Sequence, residues 1–508
     1  MSTASRARRL LYLIHRWMGV AACVLMALWF VSGIVMLFVG YPKLTPWERL
    51  RALPALQAEH CCVPLQQALA ATQSPVKEAM LTSVGKRAIY RLQLRDRRIV
   101  VIDARTGMKI DIDTPQVLAS AQAFLPHATG HEIGIVNEDR WTHSRGLDPH
   151  RPLHIVQMDD ADHTRLYLSS ATGEVVLDAP LAQRAWNYVG AWLHWLYYFR
   201  DRPVDPGWSW IVIVLSALGT VAAISGTVVG IWRWRFGSRY KSGSHSPYRE
   251  FWLHWHHLLG LLFAAILFTW IFSGLMSMNP LGIFDARGQK PDLAAWRNGD
   301  AIAERLPLEA AQAIALLQRT GFQPVEIGWR ILDGQPYMLA RNAVADTRLI
   351  TRDGNGFTVR NQWSSDTLLH AATRLLSAPI RSHRELTHHD DYYYARQPEA
   401  MMGAAERRLP VWRVRFDDPH ATVVYLDPST GDVALSLDRA QRTGRWLFNF
   451  LHSWDLPPML HAKPWRDIVL TLLSLGGLAM CVTGTVIGWR RLRIWYAGKG
   501  KGRAKRIS

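Results

Sequence analysis

Cysteine is scarce in this chain: four occur in 508 residues, and no Cys-x-x-Cys is among them. Neither a thiol redox motif nor a zinc ribbon is therefore supported. Cys23 and Cys481 fall inside apolar runs, while Cys61 and Cys62 are adjacent in a polar stretch. A glycine-rich nucleotide-binding fingerprint is also missing. Acidic residues are outnumbered, 41 against 59 Lys and Arg, for a formal net charge of +18. Such a balance can signal nucleic-acid binding, but the placement of the charges argues otherwise. Arg6, Arg8, Arg9 and Arg16 form one cluster. Arg233, Arg235, Arg239, Lys241 and Arg249 form a second, and Arg490, Arg491, Arg493, Lys499, Lys501, Arg503, Lys505 and Arg506 form a third. Only Glu250 opposes these seventeen cations, which supply +16 of the +18.

Apolar sequence is what the chain has in quantity, with 49% hydrophobic residues segregated into four blocks. They run from Leu10 to Val39, Trp208 to Trp232, Leu253 to Met278 and Ile468 to Trp489. Each reaches the ~20 residues that span ~30 Å of hydrocarbon. Val20-Ala21-Ala22-Cys23 faintly resembles a lipoprotein cleavage box, but the apolar run continues sixteen residues past Cys23. A cleaved signal segment is shorter than that, so the first block reads as a true span. The basic clusters all flank span ends and so mark the cytoplasmic side, where anionic lipid headgroups attract them. Both termini are expected inside and the two long polar stretches outside. Nucleic acid is not an expected partner.

Comparison of the chain with itself reveals an internal duplication. His15-Arg16-Trp17-Met18-Gly19 recurs as His256-His257-Leu258-Leu259-Gly260, and Trp29 to Gly33 recurs as Trp270 to Gly274, at a constant offset of 241. Further along the offset is 258: Tyr167-Leu168 through Val175 matches Tyr425-Leu426 through Val433, and Leu193-His194 matches Leu451-His452. Ser225-Gly226-Thr227-Val228-Val229-Gly230 matches Thr483-Gly484-Thr485-Val486-Ile487-Gly488 at the same offset. Each copy thus reads as span, external region, span, with a pseudo-two-fold axis along the membrane normal. The external regions read as short strands with Thr-Gly turns at Gly107, Gly173 and Gly431. Helical spacing appears from Pro115 to Phe124 and from Leu308 to Thr320. Aromatic amphipathic stretches, Ala182 to Phe199 and Arg439 to Trp454, precede the even-numbered spans and suit interfacial helices.

Twenty histidines are present, and only two pairs recur at matched places, His15 with His256 and His194 with His452. Topology puts the first pair near the cytoplasmic face and the second near the outer face. A bis-histidine b-type haem needs this arrangement, one neutral imidazole from each of two facing helices. Gly19 and Gly260, one turn after the first pair, leave room for a porphyrin edge. Arg16 inside and Arg200, Arg202 and Lys463 outside could receive propionates. The plainer reading is four interfacial histidines in aromatic belts, but intramembrane ionisable residues are functional candidates by default. His254 and His257 stand close enough to replace His256, although the repeat register favours His256. Zinc or copper would be short of ligands with two histidines per site.

Two external clusters are rich in potential ligands. One runs from His127 to His154 and contains Glu138-Asp139-Arg140-Trp141 and His143. The other, His383 to Tyr394, contains His388-His389-Asp390-Asp391 and three tyrosines. The second reads as an ordinary polar loop before it reads as an iron site.

These motifs together resemble the PepSY-associated transmembrane family of bacterial inner-membrane proteins over nearly the full length. His15 to Gly33, the Leu-His pairs at His194 and His452, the Tyr-Leu-x-x-x-Thr-Gly-x-Val turns and the Gly-Thr-Val-x-Gly span ends carry the resemblance. It implies two haem b groups on His15, His256, His194 and His452. Some members look like dihaem reductases of ferric siderophores, so a ferric siderophore is the implied acceptor. The flavodoxin-like cytoplasmic extension of some relatives is absent, which leaves quinol or a separate cytoplasmic reductase as donor.

The expected fold is a duplicated α-helical membrane protein with four transmembrane helices and two external α+β PepSY-like domains. Its segments are a cytoplasmic N-terminus with helix 1 (1–41), the first periplasmic domain (42–181) and an interfacial helix with helix 2 (182–234). A cytoplasmic basic loop (235–250), helix 3 (251–279) and the second periplasmic domain (280–438) follow. An interfacial helix with helix 4 (439–491) and a basic tail (492–508) complete the chain. The expected activity is membrane electron transfer with ferric-chelate reduction. The alternatives are a non-redox membrane regulator of periplasmic proteolysis and an iron-uptake accessory or transporter.

Overall fold

The first apolar block forms one unbroken helix, α1 (Thr3–Phe38), in a computed structural model that describes residues 3–72, 74–200, 205–299, 308–354 and 356–504. The second forms α2 (Pro206–Arg233), which starts where Pro206 occupies the first turn and Asp205 Oδ1 accepts the Trp208 backbone N–H at 3.1 Å. Proline at the start of a helix gives up an amide that has no intrahelical partner, and an aspartate cap satisfies another. The third block gives two helices, α3 (Phe251–Leu262) and α4 (Ala264–Ser277), and the fourth gives α5 (Trp465–Ala504). Parts of α1, α2 and α5 are each long and apolar enough to cross a membrane, and α3 with α4 qualifies as a bent pair. The protein is a membrane protein with three such helices, or four if the bent pair is one span, plus β-sheet-rich regions.

The third block departs from the single span expected over 251–279, because α3 and α4 meet at 71° around Phe263. No proline causes the bend. The Phe263 ring lies against α5 at Gly476, where an added Cβ would overlap the ring. At matched positions the other copy has Ala22 for Phe263 and Leu218 for Gly476, and α1 is unbroken there. A bulky ring and a notch that receives it replace a small residue and a filled surface.

These helices belong to one compact unit, Met1–Gly40, Trp186–Asp285 and Ala440–Ser508. Within it α1 packs along α2 and α5, α3 along α5, and α4 along α2. Its buried core is Ala22, Met26, Phe30, Ala223, Leu267, Ile271, Met480 and Cys481. Small residues permit the close approach, as in other membrane helix pairs: a Cβ on Gly219 would stand 3.0 Å from Ile271 Cγ2, and one on Gly477 would overlap the Phe30 ring. The two amphipathic stretches are helical as expected, but each contains a π-helical turn. Leu181–Asn187 leads into Tyr188–Trp192, and Arg439–Gly444 leads into Arg445–Phe450. Such turns widen the helix locally and often mark functional segments. His194 and His452 follow them directly.

The second unit, Tyr41–Ala185 and Ala286–Arg439, holds all the strands found among the described residues. They are β1 (Val76–Val84), β2 (Arg87–Leu94), β3 (Ile99–Asp103), β4 (Gly130–Val136), β5 (Leu153–Met158), β6 (Arg165–Ser169) and β7 (Val175–Ala179) from the first stretch. The second stretch supplies β8 (Glu326–Leu332), β9 (Gln335–Arg341), β10 (Thr347–Asp353), β11 (Gly356–Arg360), β12 (Ile380–Leu386), β13 (Val411–Phe416), β14 (Val423–Asp427) and β15 (Asp432–Leu437). One sheet, ordered β11-β10-β9-β8-β1-β2-β3, joins both stretches through antiparallel pairing of β1 with β8, where Leu81 faces Ile327 and Ala79 faces Trp329. The stretches predicted as one domain each therefore share a sheet and its core, including Leu81, Tyr90, Leu92, Ile314, Leu317, Ile327 and Ile350. Two four-stranded sheets, β4 to β7 and β12 to β15, complete the unit.

The predicted helices appear as Thr114–Phe124 and Ala310–Arg319. Ala310, Ala313, Ile314 and Leu317 bury one face of the latter, at the spacing an amphipathic helix requires. Gly107, Gly173 and Gly431 all adopt positive φ, +72°, +71° and +73°. Each closes its strand-ending turn with an N–H to the carbonyl four residues back, Asp103, Ser169 or Asp427. An L side chain would strain that conformation, which explains the recurring Thr-Gly.

Candidate functional site

Two helices carry the first histidine pair. His15 lies on α1 and His256 on α3, and their ring centres are 6.3 Å apart with planes inclined by 29°. The segments after the π-helical turns carry the second pair, His194 and His452, whose ring centres are 5.9 Å apart at 71°. The expected pairings are thus the spatial ones. Each His194 and His452 ring also meets a serine from a membrane helix, Ser32 at 3.0 Å and Ser273 at 2.9 Å. Ser32 follows His15 by seventeen residues on α1, which places the two pairs roughly 25 Å apart along that helix. They are separate sites.

Each of the four rings makes a polar contact through Nδ1: His15 with the Ala222 carbonyl at 3.3 Å, His256 with Thr483 Oγ1 at 3.1 Å, and His194 and His452 with the serines. The Trp29 indole N–H donates to the His194 carbonyl at 2.9 Å, which ties the backbone of that segment to α1. His257 is different. Its Nδ1 meets Ser246 Oγ at 2.8 Å and its Nε2 meets the Gly230 carbonyl at 2.9 Å, so both nitrogens are occupied. His254 Nδ1 contacts the Tyr248 carbonyl, and its ring packs on Trp255. Neither approaches His15 as His256 does.

Glycines shape the space around the rings. A Cβ on Gly226 would stand 2.6 Å from His15 Cε1, and one on Gly484 would stand 3.1 Å from His256 Cε1. Glycine at these positions lets the rings approach α2 and α5 closely. A Cβ on Gly19 or Gly260 would make only an ordinary contact, 4.0 Å from Cys23 Sγ or from Met480 Cγ. A metal–imidazole bond of roughly 2 Å, with roughly 1 Å more from nitrogen to ring centre, sets two ligated ring centres about 6 Å apart. Both pairs fit that separation and so fit a bis-histidine haem iron. A zinc or copper site would need further donors. Among the described residues no group of three or more His, Cys, Asp or Glu is placed to hold a metal ion.

The expected propionate partners are otherwise engaged or lie outside the description. The Arg200 guanidinium stacks over Tyr197 and Trp208, Lys463 pairs with Asp467 at 3.2 Å, and Arg202 lies outside the described residues. Arg16 is exposed on α1. Two arginines that sequence reasoning missed brace the segment around His452. Arg445 forms a buried ion pair with Asp455 at 2.7 Å. Arg466 donates to the Ser453 and Trp454 carbonyls, closing the turn that carries the histidine. Ser32, Ser273 and Thr483 were also missed, although each belongs to a hydroxyl-glycine dipeptide that recurs at the repeat offset.

In the sheet unit the polar clusters are consumed by their own structure. His143 Nδ1 meets Glu138 at 2.5 Å, His154 meets Glu132 at 2.6 Å, and Tyr167 donates to Asp139 at 2.6 Å. In the loop from His383 to Tyr394, Asp390 accepts the backbone N–H groups of Tyr392 and Tyr393 and the Tyr425 hydroxyl. Tyr393 is fully buried there. The second cluster is a packed polar loop. Elsewhere in this unit, burial and the neighbouring Glu48 push the Asp178 carboxyl up to about 7.

A family model described as the PepSY-associated TM region matches residues 12–375. No curated protein matches the chain.

Proposed function

The chain belongs to the PepSY-associated TM family, and from that premise we propose that it is a membrane electron-transfer protein of the bacterial inner membrane. His15 with His256, and His194 with His452, would each hold one b-type haem. Haem supplies reversible one-electron chemistry whose potential depends on its axial ligands and surroundings. The observation that supports this reading is the double occurrence of paired imidazoles, 6.3 Å and 5.9 Å between ring centres, at two levels of one helix unit.

The chain's own residues supply binding and insulation. The four imidazoles are anchored through Nδ1, the glycines of α2 and α5 let two of the rings approach those helices, and the same unit has an apolar core around Met26, Phe30, Leu267 and Met480. On this reading both termini are cytoplasmic and the sheet unit periplasmic, which the basic clusters beside the span ends support. The donor is then quinol or a cytoplasmic reductase, and the acceptor is a periplasmic ferric siderophore, released as iron is reduced from Fe(III) to Fe(II). In that role the protein is a ferric-chelate reductase.

One observation favours a second reading, transport of an iron complex: the 71° bend between α3 and α4, since transporters use broken spans around their substrates. The groups around the bend argue against it, because Phe263 fills the notch at Gly476 and Met480 lies close by Gly260. A substrate site would present polar groups there. The purified full-length protein tests both readings. Electron transfer predicts a b-type Soret and reduced α band, two haems per chain, and reduction of an external ferric chelate when electrons are fed from the cytoplasmic side. Haem-free protein from haem-replete cells would exclude it and leave transport or regulation.

A further inference from the structure

Three buried hydroxyls share one geometry. Ser32 Oγ donates to the Trp29 carbonyl at 3.1 Å, Ser273 Oγ to the Trp270 carbonyl at 3.0 Å, and Thr483 Oγ1 to the Met480 carbonyl at 2.6 Å. In each case the acceptor lies three residues back on the same helix. A hydroxyl has one proton and two lone pairs. Once that proton is committed to the helix carbonyl, the oxygen can only accept from a second partner. The second partner is a histidine Nδ1 every time: His194 at 3.0 Å, His452 at 2.9 Å and His256 at 3.1 Å. With the hydroxyl proton so placed, those nitrogens are the donors and carry the proton. Ser32 and Ser273 are fully buried and Thr483 is 6% exposed, so water does not compete for these bonds.

We propose that Ser32, Ser273 and Thr483 are positioning residues that hold His194, His452 and His256 in the Nδ1–H tautomer and so assign iron ligation to Nε2. This rests on the haem reading above. A neutral imidazole has one protonated and one basic nitrogen, and only the basic one binds metal. Without a committed acceptor at Nδ1, each ring is free to move its proton to Nε2 and turn its lone pair away from the partner ring. An acceptor at Nδ1 also raises ligand basicity, as second partners of metal-bound histidines do.

His15 follows a different rule. Its Nδ1 reaches the Ala222 carbonyl directly at 3.3 Å. Ser225, which matches Thr483 in the repeat, lies 3.2 Å from that carbonyl but makes its shorter bond to the Val221 carbonyl, at 2.7 Å. A carbonyl is already an obligate acceptor, so His15 needs no hydroxyl.

The test uses full-length protein purified with haem, in the variants Ser32→Ala, Ser32→Thr, Thr483→Val, Thr483→Ser and Ser225→Ala. Haem per chain, the rate of haem transfer to a haem-free globin and a redox titration are measured for each, with helix content as the folding control. Ser32→Ala and Thr483→Val are expected to release one haem at least about tenfold faster and to shift that haem toward the ferrous form at fixed potential. Ser32→Thr, Thr483→Ser and Ser225→Ala are expected to match the original protein. Unchanged release and titration in Ser32→Ala and Thr483→Val would overturn the proposal while leaving the haem reading intact. Equal losses in Ser225→Ala would also overturn it, because packing and not proton placement would be responsible. Absence of haem from the unsubstituted protein would instead remove the underlying reading. Nitrogen NMR of the histidines in haem-free protein reads the tautomer directly, and Nε2–H forms at His194, His256 or His452 would count against the proposal.

Discussion

Ser32 Oγ lies 3.0 Å from His194 Nδ1, a contact that joins residues 162 positions apart in the chain. Ser273 repeats the relationship with His452 at 2.9 Å. The ring that faces its partner is thus held by a different helix from the segment that carries it. Each histidine position depends on how α1 or α4 packs, and the consequences can be measured.

Replacing His194 or His452 by alanine is expected to remove one haem and spare the other. The two pairs are separated by roughly 25 Å of α1, and no ring is shared between them. Haem per chain should fall from two to one, with a single component left in the redox titration. Simultaneous loss of both haems in folded protein would show that the pairing is different.

Gly226→Ala should damage the His15 site, because its Cβ would stand 2.6 Å from Cε1 and 2.9 Å from Nδ1 of His15. Overpacking of this kind costs about 1–3 kcal/mol. Gly33→Ala should be tolerated, since its Cβ would lie 3.8 Å from His194 Cε1. Thermal unfolding and haem content together check the contrast. Equal behaviour of the two variants would contradict it.

The bend at Phe263 predicts a coupled pair. Gly476→Leu alone should destabilise the helix unit by about 2 kcal/mol or more, because the new side chain collides with the Phe263 ring. Adding Phe263→Ala recreates the residue types found at Ala22 and Leu218, and should restore much of the loss. A double-mutant cycle on thermal stability should give a coupling above about 1 kcal/mol. Simple additivity would mean that the ring and the notch do not determine the bend.

Asp178 makes the stability of the sheet unit pH-dependent. Burial, with Glu48 nearby, raises its carboxyl from 3.8 to about 7, so the folded state holds a proton that the unfolded state has released. Stability from this group is therefore greatest below about pH 4 and falls as pH rises toward 7. Asp178→Asn should show little difference at pH 4 and a gain of about 1–2 kcal/mol at pH 8, discounted from the full shift for partial solvent access. Unfolding of the full-length protein at the two pH values measures it. A gain of equal size at both would exclude ionisation as the cause.

Much of this was legible without coordinates. The helix Ala310–Arg319 followed from apolar spacing, and the glycines at 107, 173 and 431 from turn chemistry. Those features depend on neighbours a few residues away. The break at Phe263 did not show, because the third block is as apolar as the first and has no proline. The joining of β1 to β8 did not show either, since alternation within a strand says nothing about which strand lies beside it.

The sequence by itself determined that this is a membrane chain, where its basic clusters lie, and which four histidines of twenty recur at matched positions. Those properties are periodic, compositional or self-referential, so a single string carries them. Only the tertiary structure decided that the rings pair at 6.3 Å and 5.9 Å, that His257 spends both nitrogens elsewhere, and that Ser32, Ser273 and Thr483 stand behind the rings. Hydrogen bonds between residues 162 to 227 positions apart, and ring contacts between residues 241 and 258 positions apart, depend on how helices pack. Local pattern cannot encode that, because the same apolar surfaces would permit other packings in which no imidazole meets another.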